Sequence, residues 1–170
     1  GDVEVSRRMN SDLLERHGKA LSSSERAAAL FRIGESSRRA GDIEAALKPL
    51  KDAADADPSD GLALAALAKV FEAKGDWEAA ILTRHRRLEF ASGQERFDLL
   101  LEIGDIESTQ LSDRVRASAT YVMALEERPD DRRLLSKLMQ LYSEEKDWTR
   151  LVEVVLRLAD FVEDPKQRAK

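Results

Sequence analysis

Two short segments of this chain are near copies of each other, and their spacing restricts what the chain can fold into. Gly41-Asp42-Ile43-Glu44-Ala45-Ala46-Leu47 recurs 34 residues later as Gly75-Asp76-Trp77-Glu78-Ala79-Ala80-Ile81. Between them lie a helix-forming run, a break at Asp57-Pro58-Ser59-Asp60 and a second helix-forming run. One helix, a turn and a second helix fill about 34 residues, so the offset is one structural unit. A hairpin of that size cannot bury its apolar face alone. It must stack on neighbours, and each unit then touches mainly the next.

Composition agrees with a helical, surface-rich array. Charged residues make up 36% of the 170, against about 25% in an average domain. Ala, Leu, Glu and Arg dominate, all good helix formers. No segment sustains the apolar–polar alternation of a half-buried strand, so an all-α fold is expected. The formal net charge of −5 gives no global basic excess to drive phosphate binding, which argues against a nucleic-acid partner. With no cysteine, disulfides and thiolate chemistry are excluded. No apolar run reaches the roughly 18 residues of a membrane span, and the charged start does not read as a signal peptide. These absences lean toward a cytoplasmic setting and leave the compartment open.

The segments resemble the tetratricopeptide repeat, and the rest of the chain is read against that motif. A first repeat from Ala27 carries Leu30, Ile33 and Gly34 where the motif has a large, an apolar and a small residue. Ala46, Leu50, Ala53 and Pro58 follow in its second helix. Pro49 departs from the pattern and is expected to remove a helical hydrogen bond and kink the axis. A second repeat shows Leu64, Leu67, Ala68, Phe71, Gly75, Trp77 and Ala80, with Arg84 and Arg87 as departures. A third shows Leu100, Ile103, Gly104, Ala117, Tyr121, Ala124 and Pro129, with its turn near Ser112-Asp113 longer by one residue. A fourth shows Leu135, Leu138, Tyr142 and Trp148, but Met139 and Lys146 stand where a small residue and a glycine are expected. These last two predict a wider or strained crossing.

Helix starts are marked by side chains. Ser22 with Glu25 matches a capping box, and Ser92 with Glu95 repeats it. Asp42 can cap the next helix, and Asp113 or Ser112 the helix after the long turn. Asp164-Pro165-Lys166-Gln167 reads as another helix start. The expected organisation is an N-terminal helix in 1–24, four helix hairpins in 25–163 and the opening of a further repeat in 164–170. The chain thus reads as part of a longer array. The resemblance implies antiparallel hairpins stacked as a right-handed superhelical solenoid. Trp77 and Trp148, alike in position, are both expected to be buried. On Leu151–Val162 the charged residues form one narrow stripe, so an apolar face including Val152, Val155, Leu156 and Ala159 is expected at the C-terminal end. Self-association through that helix is one way of covering it.

Signatures of catalysis are nearly absent. There is no glycine-rich phosphate loop, no His-Glu-x-x-His pair and no nucleophile elbow. His17 and His85 lack metal-ligand spacing and read as helix residues. Ser143-Glu144-Glu145-Lys146 matches Ser-x-x-Lys without its companion motifs. No catalytic residue, metal or cofactor is expected. Arg84-His85-Arg86-Arg87 reads as a helix whose long stems cover apolar surface while their heads reach acids or water.

The resemblance implies a protein-binding scaffold whose concave face is lined by the first helix of each repeat. Its candidate partner-binding residues are Arg32, Glu35, Arg39, Lys69, Asp98, Glu102, Asp105 and Lys137, the partner being a protein or peptide. The asparagines with which some family members hold a terminal carboxylate are missing from these positions. Asp98, Glu102 and Asp105 share one helix face. They suit a basic partner, or pairing with Lys69 and Lys137 inside the array. The rival reading of the whole chain is an architectural spacer or self-assembly module positioning a domain outside it.

Overall fold

The structure, a computed structural model, describes residues 2–18 and 20–163. Nine α-helices and no strand occur among them. They are α1 (Asp2–His17), α2 (Ser23–Arg39), α3 (Ile43–Ala56), α4 (Gly61–Ala73), α5 (Trp77–Leu88), α6 (Gly93–Thr109), α7 (Arg114–Glu127), α8 (Arg132–Glu145) and α9 (Trp148–Glu163). Residues up to Ala91 form one compact unit, and residues from Ser92 form a second. Unit 1 holds α1 and the hairpins α2–α3 and α4–α5. Unit 2 holds the hairpins α6–α7 and α8–α9. The helix start expected at Asp164 lies outside the described residues.

Three of the four hairpin turns are built alike. Gly41 and Gly75 take positive φ after α2 and α4 (82° and 72°), and Lys146 takes φ 59° after α8. The next residue is Asp each time, and its amide donates five residues back, to Ser37, Phe71 or Tyr142 O. This is the hydrogen-bond pattern that closes a helix through a left-handed residue. The same aspartates then cap the second helix: Asp42 accepts from Ala45 N, Asp76 from Ala79 N and Asp147 from Arg150 N. The turn between α6 and α7 is longer, with Ser112 at φ 53° and Asp113 as the cap, accepting from Arg116 N.

Capping differs at the starts of α2 and α6. Ser22 and Glu25 form the expected reciprocal box. Ser92, by contrast, makes no side-chain cap bond. Gly93 follows it at φ 55°, outside helical geometry, and the register that would bring the serine oxygen to the N3 amide is lost. Helix α3 runs on across Pro49.

Each unit has an aliphatic core at its hairpin crossings. In unit 1, Ala46, Leu50, Ala53 and Ala54 of α3 pack with Ala63, Leu64, Leu67 and Val70 of α4, all buried. In unit 2, Leu100 and Ile103 of α6, Ala117, Tyr121 and Ala124 of α7, and Leu134, Leu135 and Leu138 of α8 are buried. Gly34 lets α2 approach α3 so closely that an added Cβ would stand 2.5 Å from Leu50 Cγ. Gly104 does the same beside the Tyr121 ring, at 2.4 Å from Cε1. Helices α8 and α9, with Met139 at the equivalent position, approach each other least closely of the four hairpins.

The tryptophans are not buried as expected. Trp77 is half-buried and Trp148 is 60% exposed. Both are the first residue of their helix. Helical side chains lean toward the N-terminus, so a first-turn side chain projects past the end of its own helix instead of onto its partner.

Candidate functional site

The candidate residues divide between the units: Arg32, Glu35, Arg39 and Lys69 in unit 1, and Asp98, Glu102, Asp105 and Lys137 in unit 2. All lie on α2, α4, α6 or α8, the first helices of the hairpins. Their buried neighbours fix which way they point. Gly34 and Ser37 face inward on α2, so Arg32, Glu35 and Arg39 face away from α3.

Glu35 is not left to a partner. Arg38 donates to it from Nε (2.7 Å) and Nη2 (2.8 Å), and Arg39 from Nε (2.7 Å). The Arg38 hydrogen bonds, opposed by partial burial and aided by Arg39, hold its carboxyl down at about 2. Arg32, Arg39 and Lys69 stand exposed on the same unit. The solvent-facing charge of these first helices is therefore mainly basic.

In unit 2 the acidic stripe divides by depth. Asp98 and Glu102 are exposed, and Asp98 accepts from Gln94 Nε2 one turn earlier (2.6 Å). Asp105 is half-buried and accepts from Lys137 Nζ of α8 (2.7 Å) and from the Tyr121 hydroxyl of α7. Burial first, then the Asp105 bond, pushes the Tyr121 phenol above its ordinary value, so it stays a donor. Lys137 also lies 5.7 Å from the Tyr121 ring centre. Of the pairings expected inside the array, this one forms. These groups border a polar cavity of about 320 Å³ whose far wall holds Gln140, Glu144 and Arg114. Arg114 and Gln140 both donate to Glu144, and the Gln140 bond first, then Arg114, lowers its carboxyl.

The basic run on α5 is mostly occupied. Arg84 is buried and pairs with Glu72 of α4, while Arg86 reaches back to Asp55 Oδ1 and Ala54 O of α3 (both 3.1 Å). Its cations thus tie α5 to the preceding helices.

One feature of unit 2 has no counterpart among the sequence-derived candidates. A groove of about 900 Å³ runs between α7 and α9, floored by Leu125, Leu138 and Val154 and rimmed by Arg150 and Arg157. The exposed Val122 on α7 was the one available signal, and a single surface valine is too ordinary to announce a groove. Among the described residues no group of His, Cys, Asp and Glu is arranged to hold a metal, and no helix is long and apolar enough to cross a membrane.

Comparison with known proteins agrees with this geometry. Residues 63–95 match the profile of the Tetratricopeptide repeat. No curated protein matches the chain in sequence. Among solved structures, MamA is similar with a TM-score of 0.65 and 16% identity, over 99% of this chain and 92% of that one. The N-terminal domain of stress-induced protein-1 from C. elegans is similar with a TM-score of 0.61 and 18% identity, over 71% of this chain and 98% of that one. Identities this low speak to fold alone, and the fold is an all-α helical-repeat one.

Proposed function

We propose that this chain, a carrier of tetratricopeptide repeats, is a protein-binding scaffold that takes its partner on the first helices of its hairpins. A repeat fold of this kind supports protein interaction in general, and its scaffold does not name the ligand. The observation that carries the reading is the segregation of exposed charge. Arg32, Arg39 and Lys69 leave α2 and α4 of unit 1 basic, whereas Asp98 and Glu102 leave α6 of unit 2 acidic. Each unit by itself fits a polypeptide segment of opposite charge, acidic for unit 1 and basic for unit 2. Such contacts set specificity and association rate more than affinity.

A random peptide display selected on the purified chain tests the reading. Two double variants, R32E/K69E and D98K/E102K, change only exposed side chains and should melt like the parent. Acidic selected peptides should bind more weakly to R32E/K69E and basic ones more weakly to D98K/E102K, and binding should fall as salt rises. Peptides that bind both variants as tightly as the parent would place recognition elsewhere, with the groove between α7 and α9 next in line.

A further inference from the structure

The groove between α7 and α9 has a counterpart in the chain that shows what the fold itself requires. Positions of α3–α5 recur 71 residues later in α7–α9, as Asp42 and Trp77 do in Asp113 and Trp148. Ala119 and Val122 line the α7 wall, and both are exposed. The same positions of α3 hold Lys48 and Lys51, exposed as well. Arg86 of α5 crosses to α3 and donates to Asp55 and the Ala54 carbonyl (both 3.1 Å). Its counterpart on α9, Arg157, donates instead to Pro129 O (2.6 Å) and leaves Glu126, the counterpart of Asp55, bare. The fold thus accepts lysines on this wall and an arginine across the gap. The apolar wall and the open groove of unit 2 are not demands of packing.

The walls and rim indicate what fills it. Ala119, Val122 and Glu126 of α7, and Arg150, Glu153 and Arg157 of α9, each stand at i, i+3 and i+7. Each wall is therefore two helical turns, about 10 Å long. Helical walls keep their backbone hydrogen bonds to themselves, and Arg157 already occupies the Pro129 carbonyl. An extended segment would find no backbone partner there, whereas a helix arrives with its own bonds made. Leu125, Leu138, Tyr142 and Val154, all buried, give it an apolar floor. Glu126 and Glu153 stand one on each wall, exposed, and neither pairs with any described residue. Arg150, by contrast, pairs with Asp147 (3.2 Å) and lies over the Tyr142 ring. The rim thus sets two free carboxylates against the Arg157 guanidinium. The apolar stripe expected on α9 takes no part: Val152 (56% exposed), Val155 (43%) and Leu156 (61%) lie on the opposite side of the helix.

We propose that this groove docks an amphipathic helix of a partner protein, one whose apolar stripe is flanked on both sides by Lys or Arg. The floor takes the stripe, and Glu126 and Glu153 take the flanking cations. This site is separate from the charged faces of the first helices.

A display library of short helices tests it, with Leu fixed at i, i+3 and i+7 and the flanking positions varied among Lys, Glu and Ser. Selection on the purified full chain should enrich Lys flanks. The winning helix, made as a labelled peptide, should bind A119K/V122K about tenfold more weakly or worse by fluorescence anisotropy. That variant carries the lysines α3 has at these exposed positions, so its Tm should stay within about 2 °C of the parent. E126K/E153K should lose the Lys-flanked helix and take up a Glu-flanked one. R32E/K69E and D98K/E102K should bind the winning helix as the parent does. The proposal is overturned if no helix is enriched, if the winners carry acidic flanks, or if they bind A119K/V122K undiminished. It is also overturned if the first-helix variants lose the peptide, or if the parent chain dimerises in light scattering and A119K/V122K abolishes the dimer, which would give the groove to a second copy.

Discussion

The hairpins α2–α3 and α6–α7 open the two units, and they solve one steric problem with different chemistry. Gly34 and Gly104 lie 70 residues apart, and both let a second helix cross almost against the backbone. What crosses differs. Leu50 is apolar and needs only to be buried. Tyr121 brings a hydroxyl, and that hydroxyl must find an acceptor, which is Asp105. The counterpart of Asp105 on α2 is Glu35, which its own helix satisfies through Arg38 and Arg39. Two residues further on, the buried Ser37 is replaced by Glu107, a carboxylate only 3% exposed. Glu107 accepts from Thr120 Oγ1 (2.7 Å) and Arg116 Nε (3.2 Å). Once polar groups enter a crossing, each recruits another until all are bonded. Candidate surface residues such as Asp105 and Lys137 are thereby committed to holding the unit together.

Removing the polar core should separate the hairpins most strongly. Glu107→Ala leaves the buried Thr120 hydroxyl without its acceptor and should cost about 2–3 kcal/mol in urea unfolding. Ser37→Ala, at the matching position, should cost less than about 1 kcal/mol. Equal losses would mean that Glu107 acts only by filling space.

The glycines test what the hairpins share. Gly34→Ala and Gly104→Ala should each destabilise by about 1–3 kcal/mol, although alanine is the better helix former. Gly34→Ala should cost more, because its Cβ would also stand 3.1 Å from the Leu50 backbone N, which cannot rotate away. A neutral result at both would show that the helices slide apart freely.

Acid should act on Glu35. Its folded carboxyl sits at about 2, below the ordinary 4.5, so its stabilisation is present above pH 4.5 and is lost as pH falls toward 2. The contribution should be about 1–2 kcal/mol, since the exposed Arg39 shares its charge with water. Urea titrations from pH 5 to 2 should show a shallower decline in Glu35→Gln than in the parent. Parallel declines would remove Glu35 from the acid response.

Lys146→Gly gives the smallest expected change and compares the turns of the two units. Lysine at φ 59° sits where glycine serves at Gly41 and Gly75. The substitution should stabilise by about 1 kcal/mol, and Gly75→Ala should destabilise by a similar amount. An added Cβ at Gly75 would touch nothing within 4 Å, so conformation alone decides that comparison. If Lys146→Gly gains nothing in Tm, left-handed strain at this turn is negligible.

The repeat was legible because its signals are local. A 34-residue echo, an Asp after each turn, a Ser–Glu box and small residues at the crossings lie within a few positions of the structure they cause. The helical fold and the bare stripe on α9 could be read from them, and so could the reach of the α5 arginine heads to acids. The turn at Lys146 shows the limit of a residue rule, since the backbone keeps its left-handed residue without the glycine. Closing the hairpin and the Asp147–Tyr142 bond require it. Side-chain partners were a different matter. That Asp105 serves Tyr121 besides the expected Lys137, that Ser92 fails as a cap, and that Trp148 projects past its helix all depend on groups distant in sequence or on the exact backbone angle at one neighbour. A hydrogen bond forms within a few tenths of an ångström or not at all. Helical periodicity places a residue on a face, but only packed helices decide which atom on the next face it meets.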